Sequence, residues 1–386
     1  MKIKKTKAED PLALAAKLIS IPSYVVGKDN EEEISDYIYG YLKQFGYFQV
    51  KKQKVEDGRF NIIATDGYPE KLAFFCHMDT VPPSPKWKSN PFKPVVKKGK
   101  LYGLGASDMK GGIASLLSAL PRTGRTKGLY LVFDVDEEYY FKGIDKFVES
   151  NRVNPAIAVF PEPGFLIYNG HRGVIEIEIT VGGTTAHSST PDKGKNAVLG
   201  TLQTIKEIES QLRRFSDRGL GVTTVNLAAI NGGTMASKGK RGYQIIQRAN
   251  KVPDIAKALL EFRTSSERFD AAEAIRILRK CLDEQGVRLM KTDIKIDRKP
   301  FFVRRSNLKR FRAVVSKAVG TVGYGDIKTM GYGEGAIVNK AFGTDCVYLG
   351  PGLLSMAHKD NECILVRDLY KAHTCYKSLI STYCSD

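Results

Sequence analysis

Continuously apolar runs at 61–65 (NIIAT), 71–76 (KLAFFC), 129–135 (LYLVFDV) and 156–160 (AIAVF) punctuate the first half of the chain. Helix-like stretches separate the last three, MKGGIASLLSAL at 109–120 and FKGIDKFVES at 141–150. Earlier, EEEISDYIYGYLKQFGY repeats apolar residues at Ile34, Ile38, Tyr41 and Phe45 and is closed by Gly46, which predicts a helix. Strands without polar alternation are buried on both faces. Their alternation with helices predicts an α/β fold, a mostly parallel mixed sheet flanked by helices. In such sheets the chemistry gathers at the carboxyl ends of the strands.

The texture changes near residue 172. VIEIEITV (174–181) alternates strictly, as a half-exposed strand does, and VTTVNLAAI (222–230) resembles it. The predicted order is strand 174–181, helix 196–214, strand 222–230, strand 257–263, helix 270–284 and strand 293–297. That order suits an inserted α+β domain of one four-stranded sheet and two helices. NLKRFRAVVSKAVG and DCVYLG then resume the first texture. The expected division is therefore a discontinuous domain of residues 1–171 and 296–386 around an insert of 172–295.

At 386 residues the chain exceeds what one core usually supports, and 42% hydrophobic with 26% charged residues is ordinary globular composition. Basic residues before an apolar stretch give the amino terminus a superficial likeness to a signal peptide. Glu9, Asp10 and Lys17 interrupt it, so a first helix is the better reading. No run approaches the roughly 20 apolar residues of a membrane span. Six cysteines without a CxxC pair favour reduced thiols and a cytoplasmic protein. A net charge of +18 would suit nucleic acid, acidic lipid or an anionic substrate, but the basic residues are spread along the length. A solvated surface fits them better, and neither a nucleic-acid nor a membrane partner is expected.

Candidate chemistry sits where the apolar runs end. His77 closes FFCHMDT, and a lone histidine there is commonly a core residue; Asp79, two residues on, is placed to orient its far ring nitrogen as partners of metal-bound histidines do. LYGLGASDMKGG has a GxGxx opening, but Asp108 replaces the third glycine of a dinucleotide loop, so it reads instead as a turn presenting one carboxylate. Glu137 and Glu138 end another run. They either form a solvated strand end or point to opposite sides, one toward a cation and the other toward substrate. Glu162 follows the next strand, and His358 lies in LGPGLLSMAHKDNEC. Nitrogen and oxygen donors in that ratio suit zinc, cobalt or manganese. Five ligands exceed one open zinc site but fit two metals sharing a carboxylate, with Asp108 the natural bridge.

These stretches, together with LISIPS, HMDTVPP, PEPG, GHRG, AHSSTPDKGKNAV, NKVP, GPG and AHKDNE, run nearly the whole chain. In them the sequence resembles the two-metal peptidases and deacylases that include acetylornithine deacetylase, succinyl-diaminopimelate desuccinylase, aminoacylase and glutamate-releasing carboxypeptidase. The resemblance implies a two-zinc catalytic domain, with cobalt or manganese as alternatives, interrupted by a lid domain that forms a homodimer in many members. It implies that His77 and Glu162 hold one metal, that Glu138 and His358 hold the other, and that Asp108 bridges them. Glu137 would be the general base, and Asp79 the orienting residue behind His77. His187 in GTTAHSSTP would stabilise the oxyanion, often from the partner subunit, with Asn250 beside it. Arg263 would pair with a substrate carboxylate. His171 and His373 receive no role. The sequence departs from relatives in Tyr139, Tyr140 and Phe141 after the paired acids, and in Glu334 where many have aspartate.

The expected activity is metal-dependent hydrolysis of an amide in an N-acyl amino acid, by a hydroxide shared between the metals. A dipeptidase or carboxypeptidase of the same family is the alternative, and a non-catalytic binding protein on the same scaffold a remote one.

Overall fold

The computed structural model describes residues 9–25, 31–122, 125–239 and 242–385. Residues 1–8 of the segment read as a first helix lie outside these, and the helix itself begins at Pro11. The chain divides into two compact units: 1–170 with 303–326 and 333–386, and 171–302 with 327–332.

The chain begins with α1 (Pro11–Ile19), α2 (Glu31–Lys43), β1 (Gln49–Glu56), β2 (Arg59–Thr65) and β3 (Leu72–His77). A small hairpin of β4 (Val95–Lys97) and β5 (Lys100–Tyr102) leads to α3 (Lys110–Ala119), β6 (Leu129–Asp134), α4 (Lys142–Ser150), β7 (Ile157–Phe160) and β8 (Gly170–His171). The second unit holds β9 (Gly173–Gly182), α5 (Ala197–Leu212), β10 (Thr224–Gly239), β11 (Gly242–Ile246), β12 (Ile255–Thr264), α6 (Ala271–Glu284), β13 (Arg288–Arg298) and β14 (Phe301–Phe302). The chain returns to the first unit with α7 (Lys309–Val319), α8 (Gly335–Phe342), β15 (Cys346–Tyr348), β16 (Cys363–Leu365) and α9 (Val366–Tyr383).

The first unit is built on a mixed six-stranded sheet in the order β1-β2-β6-β3-β7-β15, whose last four strands run parallel. Every residue of β3, β6, β7 and β15 is buried, which is why these strands lack alternation. Successive side chains take opposite faces: Phe74 meets Tyr376 of α9 with ring centroids 5.4 Å apart, and Phe75 meets Phe147 of α4 at 5.5 Å. Helices therefore cover both sides. Because β3, β6 and β7 are parallel, His77, the 135–141 turn and Glu162 all leave the sheet at the same end. β1 is one of the two edge strands, and its lysines keep that edge in water.

The second unit is an antiparallel sheet in the order β11-β10-β12-β9-β13. Ile175, Ile177, Ile179 and Val181 of β9 pack into a core with Ile205 and Ile208 of α5 and with Ile277 and Leu278 of α6. Asn196 caps α5 by accepting from the N–H groups of Val198 and Leu199, and Asp270 caps α6 through the N–H of Glu273. The sheet has five strands, correcting the expected four. β10 runs past Ile230 through Gly232 and Gly233 and pairs with β11. A Cβ on Gly233 would meet the carbonyl oxygen of Ile246 at 2.4 Å, so the glycine is a place of close strand approach. The expected boundary at residue 295 falls inside β13, which continues to Arg298.

All six cysteines are free and buried. Among the described residues no helix is long and apolar enough to cross a membrane.

Candidate metal centre

Five side chains from separate stretches of the first unit converge at the carboxyl end of the parallel strands. His77 is buried at the end of β3, with its Nε2 3.2 Å from Asp108 Oδ1 and 3.4 Å from Glu162 Oε1. His358 lies in the loop before β16 in the left-handed region, with φ +58°, and its Nε2 is 2.8 Å from Glu138 Oε2 and 3.6 Å from Asp108 Oδ2. Asp108 thus turns one oxygen to each pair. Donor atoms of His77, Asp108 and Glu138 all fall within 4.8 Å of one another.

Local structure fixes each position. Asp108 precedes α3 in a turn whose N–H groups are gathered by one carboxylate: Glu362 accepts from Gly105 at 2.8 Å, Ser107 at 2.7 Å and Asp108 at 3.0 Å. The peptide between Asp108 and Met109 is cis. Gly112 of α3 has no room for a side chain, since a Cβ would lie 2.3 Å from the carbonyl oxygen of Pro161; that contact seats the loop bearing Glu162.

Asp79 acts differently from the expectation. Its carboxylate is 3.6 Å from His77 Nδ1, too far for a hydrogen bond, and the backbone carbonyl of Asp79 accepts from Nδ1 at 3.1 Å instead. The carboxylate accepts the N–H groups of Glu137 at 3.2 Å and Glu138 at 3.0 Å. One residue therefore sets both the histidine tautomer, through its main chain, and the paired acids, through its side chain. With Nδ1 donating, His77 presents the Nε2 lone pair toward two carboxylates, an arrangement that needs a cation or a proton between them.

The electrostatics require positive charge here. Burial, then the charge of Asp108, pushes Glu162 up to about 7, and the same two causes raise Glu138. Burial pushes Glu137 well above the carboxylate range. The hydrogen bond that His358 donates to Glu138 raises its imidazole to about 9. For His77, burial opposes the proton but is outweighed by Glu162, Asp108 and Asp79, and the ring is held well above its ordinary value. Glu138 Oε1 is buried with no hydrogen-bond partner among the described residues. An orphaned carboxylate oxygen among nitrogen and oxygen donors fits a divalent cation.

Three further expected residues, His187, Asn250 and Arg263, belong to the second unit. His187 is exposed in the second unit; the N–H of Ser189 donates to its Nδ1 at 3.2 Å, which leaves the proton on Nε2. Asn250 is next to it, its carbonyl accepting from the Ser188 N–H at 3.1 Å. Arg263, on β12, has its fork on Glu261, at 2.9 and 3.2 Å. His171 is buried between Phe301 and Tyr332, and His373 bonds Ser118 at 2.8 Å. Of the three aromatic departures, Phe141 is buried, Tyr140 is 60% exposed and Tyr139 is half-buried next to Glu138. Glu334 is buried before α8, where burial and then the charge of Asp134 push its carboxyl well above the ordinary carboxylate range. Glu31, Arg59 and Asp136 hold the turn of the paired acids and Glu362 holds the Asp108 turn, yet none of the four is singled out by the sequence pattern. Asp136 sits inside the apolar-to-acidic run that drew attention to its neighbours; Arg59 gave no comparable signal.

The model of peptidase family M20/M25/M40 matches residues 73–382, a span that contains all five converging side chains. An acetylornithine deacetylase of Klebsiella pneumoniae is 32% identical over 239 residues, 57% of this chain and 62% of the relative, so the chain spans just under two thirds of that relative's length. A probable carboxypeptidase of Aspergillus clavatus is 30% identical over 94% of this chain and 86% of its own. The solved M20 family metallo-carboxypeptidase of Sulfolobus solfataricus superposes with a TM-score of 0.75 over 97% of this chain and 99% of that one; at 19% identity this shows a shared fold. With the family match covering most of the sequence and one curated relative aligned along nearly all of it, the chain belongs to peptidase family M20/M25/M40.

Proposed function

We propose that the chain is a metal-dependent amidohydrolase that cleaves the amide of an N-acyl amino acid bearing a free carboxylate. The observation that carries this reading is Asp108, whose two oxygens face two different donor pairs, His77 with Glu162 and His358 with Glu138. That is the donor set of two divalent cations sharing a carboxylate, with zinc the first choice and cobalt or manganese chemically similar.

Two cations held there would supply Lewis acidity, polarising the scissile carbonyl and acidifying water. The chain's own groups do the rest. Glu137 has no place among the five donors, and the Asp79 carboxylate fixes its backbone. It takes a proton from the attacking water and returns it to the leaving nitrogen. His187, with its proton on Nε2 and that face exposed, serves as hydrogen-bond donor to the oxyanion, supplied by a second copy of the chain in a homodimer formed through the second unit. Arg263 takes the substrate carboxylate by exchanging it for Glu261, and Asn250 supports His187.

A carboxypeptidase acting on short peptides is the second reading, favoured by the curated relative that aligns along nearly the whole chain. Metal analysis of the purified protein with a panel of acetyl-, succinyl- and aminoacyl-amino acids separates the two. About two divalent ions per chain are expected, with His358→Ala losing one and Asp108→Ala both. An Asp108→Ala protein that keeps both ions, or a wild type that hydrolyses nothing in the panel, defeats the proposal.

A further inference from the structure

Arg59 is among the largest fully buried side chains, 1% exposed, although it opens β2 straight after a tight turn. Its Nη2 donates to Glu31 Oε1 and to Asp136 Oδ1, both at 2.9 Å; its Nε donates to the other oxygen of Glu31, and Nη1 to Glu56 at 3.2 Å. Glu31 Oε1 also accepts the backbone N–H of Asp136 at 3.0 Å. Asp136 has φ +71°, and its Oδ2 accepts the N–H groups of Tyr140 at 3.2 Å and Lys142 at 3.3 Å, while its carbonyl accepts that of Phe141 at 2.7 Å.

This cluster and Asp79 grip the same turn from two sides. Asp79 holds the N–H groups of Glu137 and Glu138; Arg59 and Glu31 hold Asp136, the residue just before them. Stability alone does not call for such a device. Taking ions out of water is costly, and well-packed apolar replacements are often as stable. What the cluster supplies is direction: a planar guanidinium binds two carboxylates at fixed angles, which a lysine ammonium cannot do.

We propose that the buried Glu31–Arg59–Asp136 cluster is a positioning device for the reaction, setting the 135–141 turn so that Glu137 and Glu138 face the metal centre in the right register. This rests on the roles given above to those two acids. None of the three cluster residues touches substrate, and they act only through the turn. A displacement of about 1 Å at a catalytic group can cost on the order of 100-fold in rate.

The test is Arg59→Lys, which keeps the charge and removes the fork. Three measurements are made on the metal-loaded protein: kcat and KM, affinity for the second metal equivalent by chelator competition, and hydrogen exchange across the chain. The expectation is a fall in kcat of about 10- to 100-fold with KM nearly unchanged. The second metal should bind about tenfold more weakly because Glu138 is displaced, and exchange should quicken in residues 135–141 but not in α3. Should Arg59→Lys fail to fold, Asp136→Asn carries the same expectations. The inference is overturned if kcat and exchange at 135–141 match the wild type. It is equally overturned if exchange quickens evenly through the molecule and activity falls only in step with the folded fraction. A wild type without amidase activity would count against the proposed function instead, and the metal affinity and the local exchange would still decide this inference.

Discussion

Glu138 in the first unit and Glu261 in the second each lie within reach of a basic side chain, yet their surroundings differ. The Glu138 side chain is 4% exposed and pairs with His358, and burial, then the charge of Asp108, raises its carboxyl. Glu261 is 31% exposed on an open sheet face and pairs with Arg263 in water. An acid in solvent can be left to solvent, and its ion pair contributes about 0–1 kcal/mol and says little about function. An acid sealed among other acids needs a cation, and that need is what marks the first site as chemical.

The sharpest way to break the contrast is at Glu137. Glu137→Gln keeps size and hydrogen bonding but cannot accept a proton, so kcat should fall by about 10²–10⁴-fold with metal content unchanged. Turnover near the wild-type level would mean the buried acid beside the donors is not the base. Next in size is His187→Ala in the second unit, which should lower kcat by about 10²–10³-fold without loss of metal. Mixing that variant with Glu137→Gln sharpens the point. If His187 serves a neighbouring subunit, mixed dimers regain part of the activity; if activity stays absent, the histidine serves its own chain or none.

The third effect is on pH. His358 is raised to about 9 by its bond to Glu138, and it must shed that proton to bind a metal. Below that value protonated histidine competes with the cation, so affinity for the second metal should climb with pH by up to about tenfold per unit and level off above it. Titration calorimetry at several pH values reads this directly, together with the proton released. A flat profile between pH 6 and 8 would show that His358 is not a ligand. The exposed acids of the second unit should add nothing to this slope.

Much of the first unit was legible because burial on both faces leaves unmistakable runs. β3, β6 and β7 appear as apolar stretches, and a charged or imidazole side chain just past each is conspicuous. β1, an edge strand spelled QVKKQKVE, shows no such run because lysines protect its open side. The fifth strand of the second unit was hidden by glycines that usually mean a turn. Arg59 was invisible for a related reason: following Asp57 and Gly58 it reads as a solvated turn residue, and only the fold shows Glu31 and Asp136 closing around it. A ligand can be guessed from its place at a strand end. The groups that orient it are recognised only in three dimensions, since their partners are 28 and 77 residues away.

The smallest effect separates the two uses of charge within the second unit itself. Arg263 has both arms of its fork on Glu261, with the two side chains about a third exposed. Breaking that pair with Glu261→Gln should change stability by less than about 1 kcal/mol, read as a small shift in Tm. If Arg263 leaves Glu261 to bind a substrate carboxylate, the same substitution removes the competitor and lowers KM a few-fold. Arg263→Ala should then raise KM by up to about tenfold while kcat holds, because the lost contact is made equally in the ground and transition states. An unchanged KM in both variants would leave the arginine as part of a surface pair, and the substrate's carboxylate would have to be met by another cation.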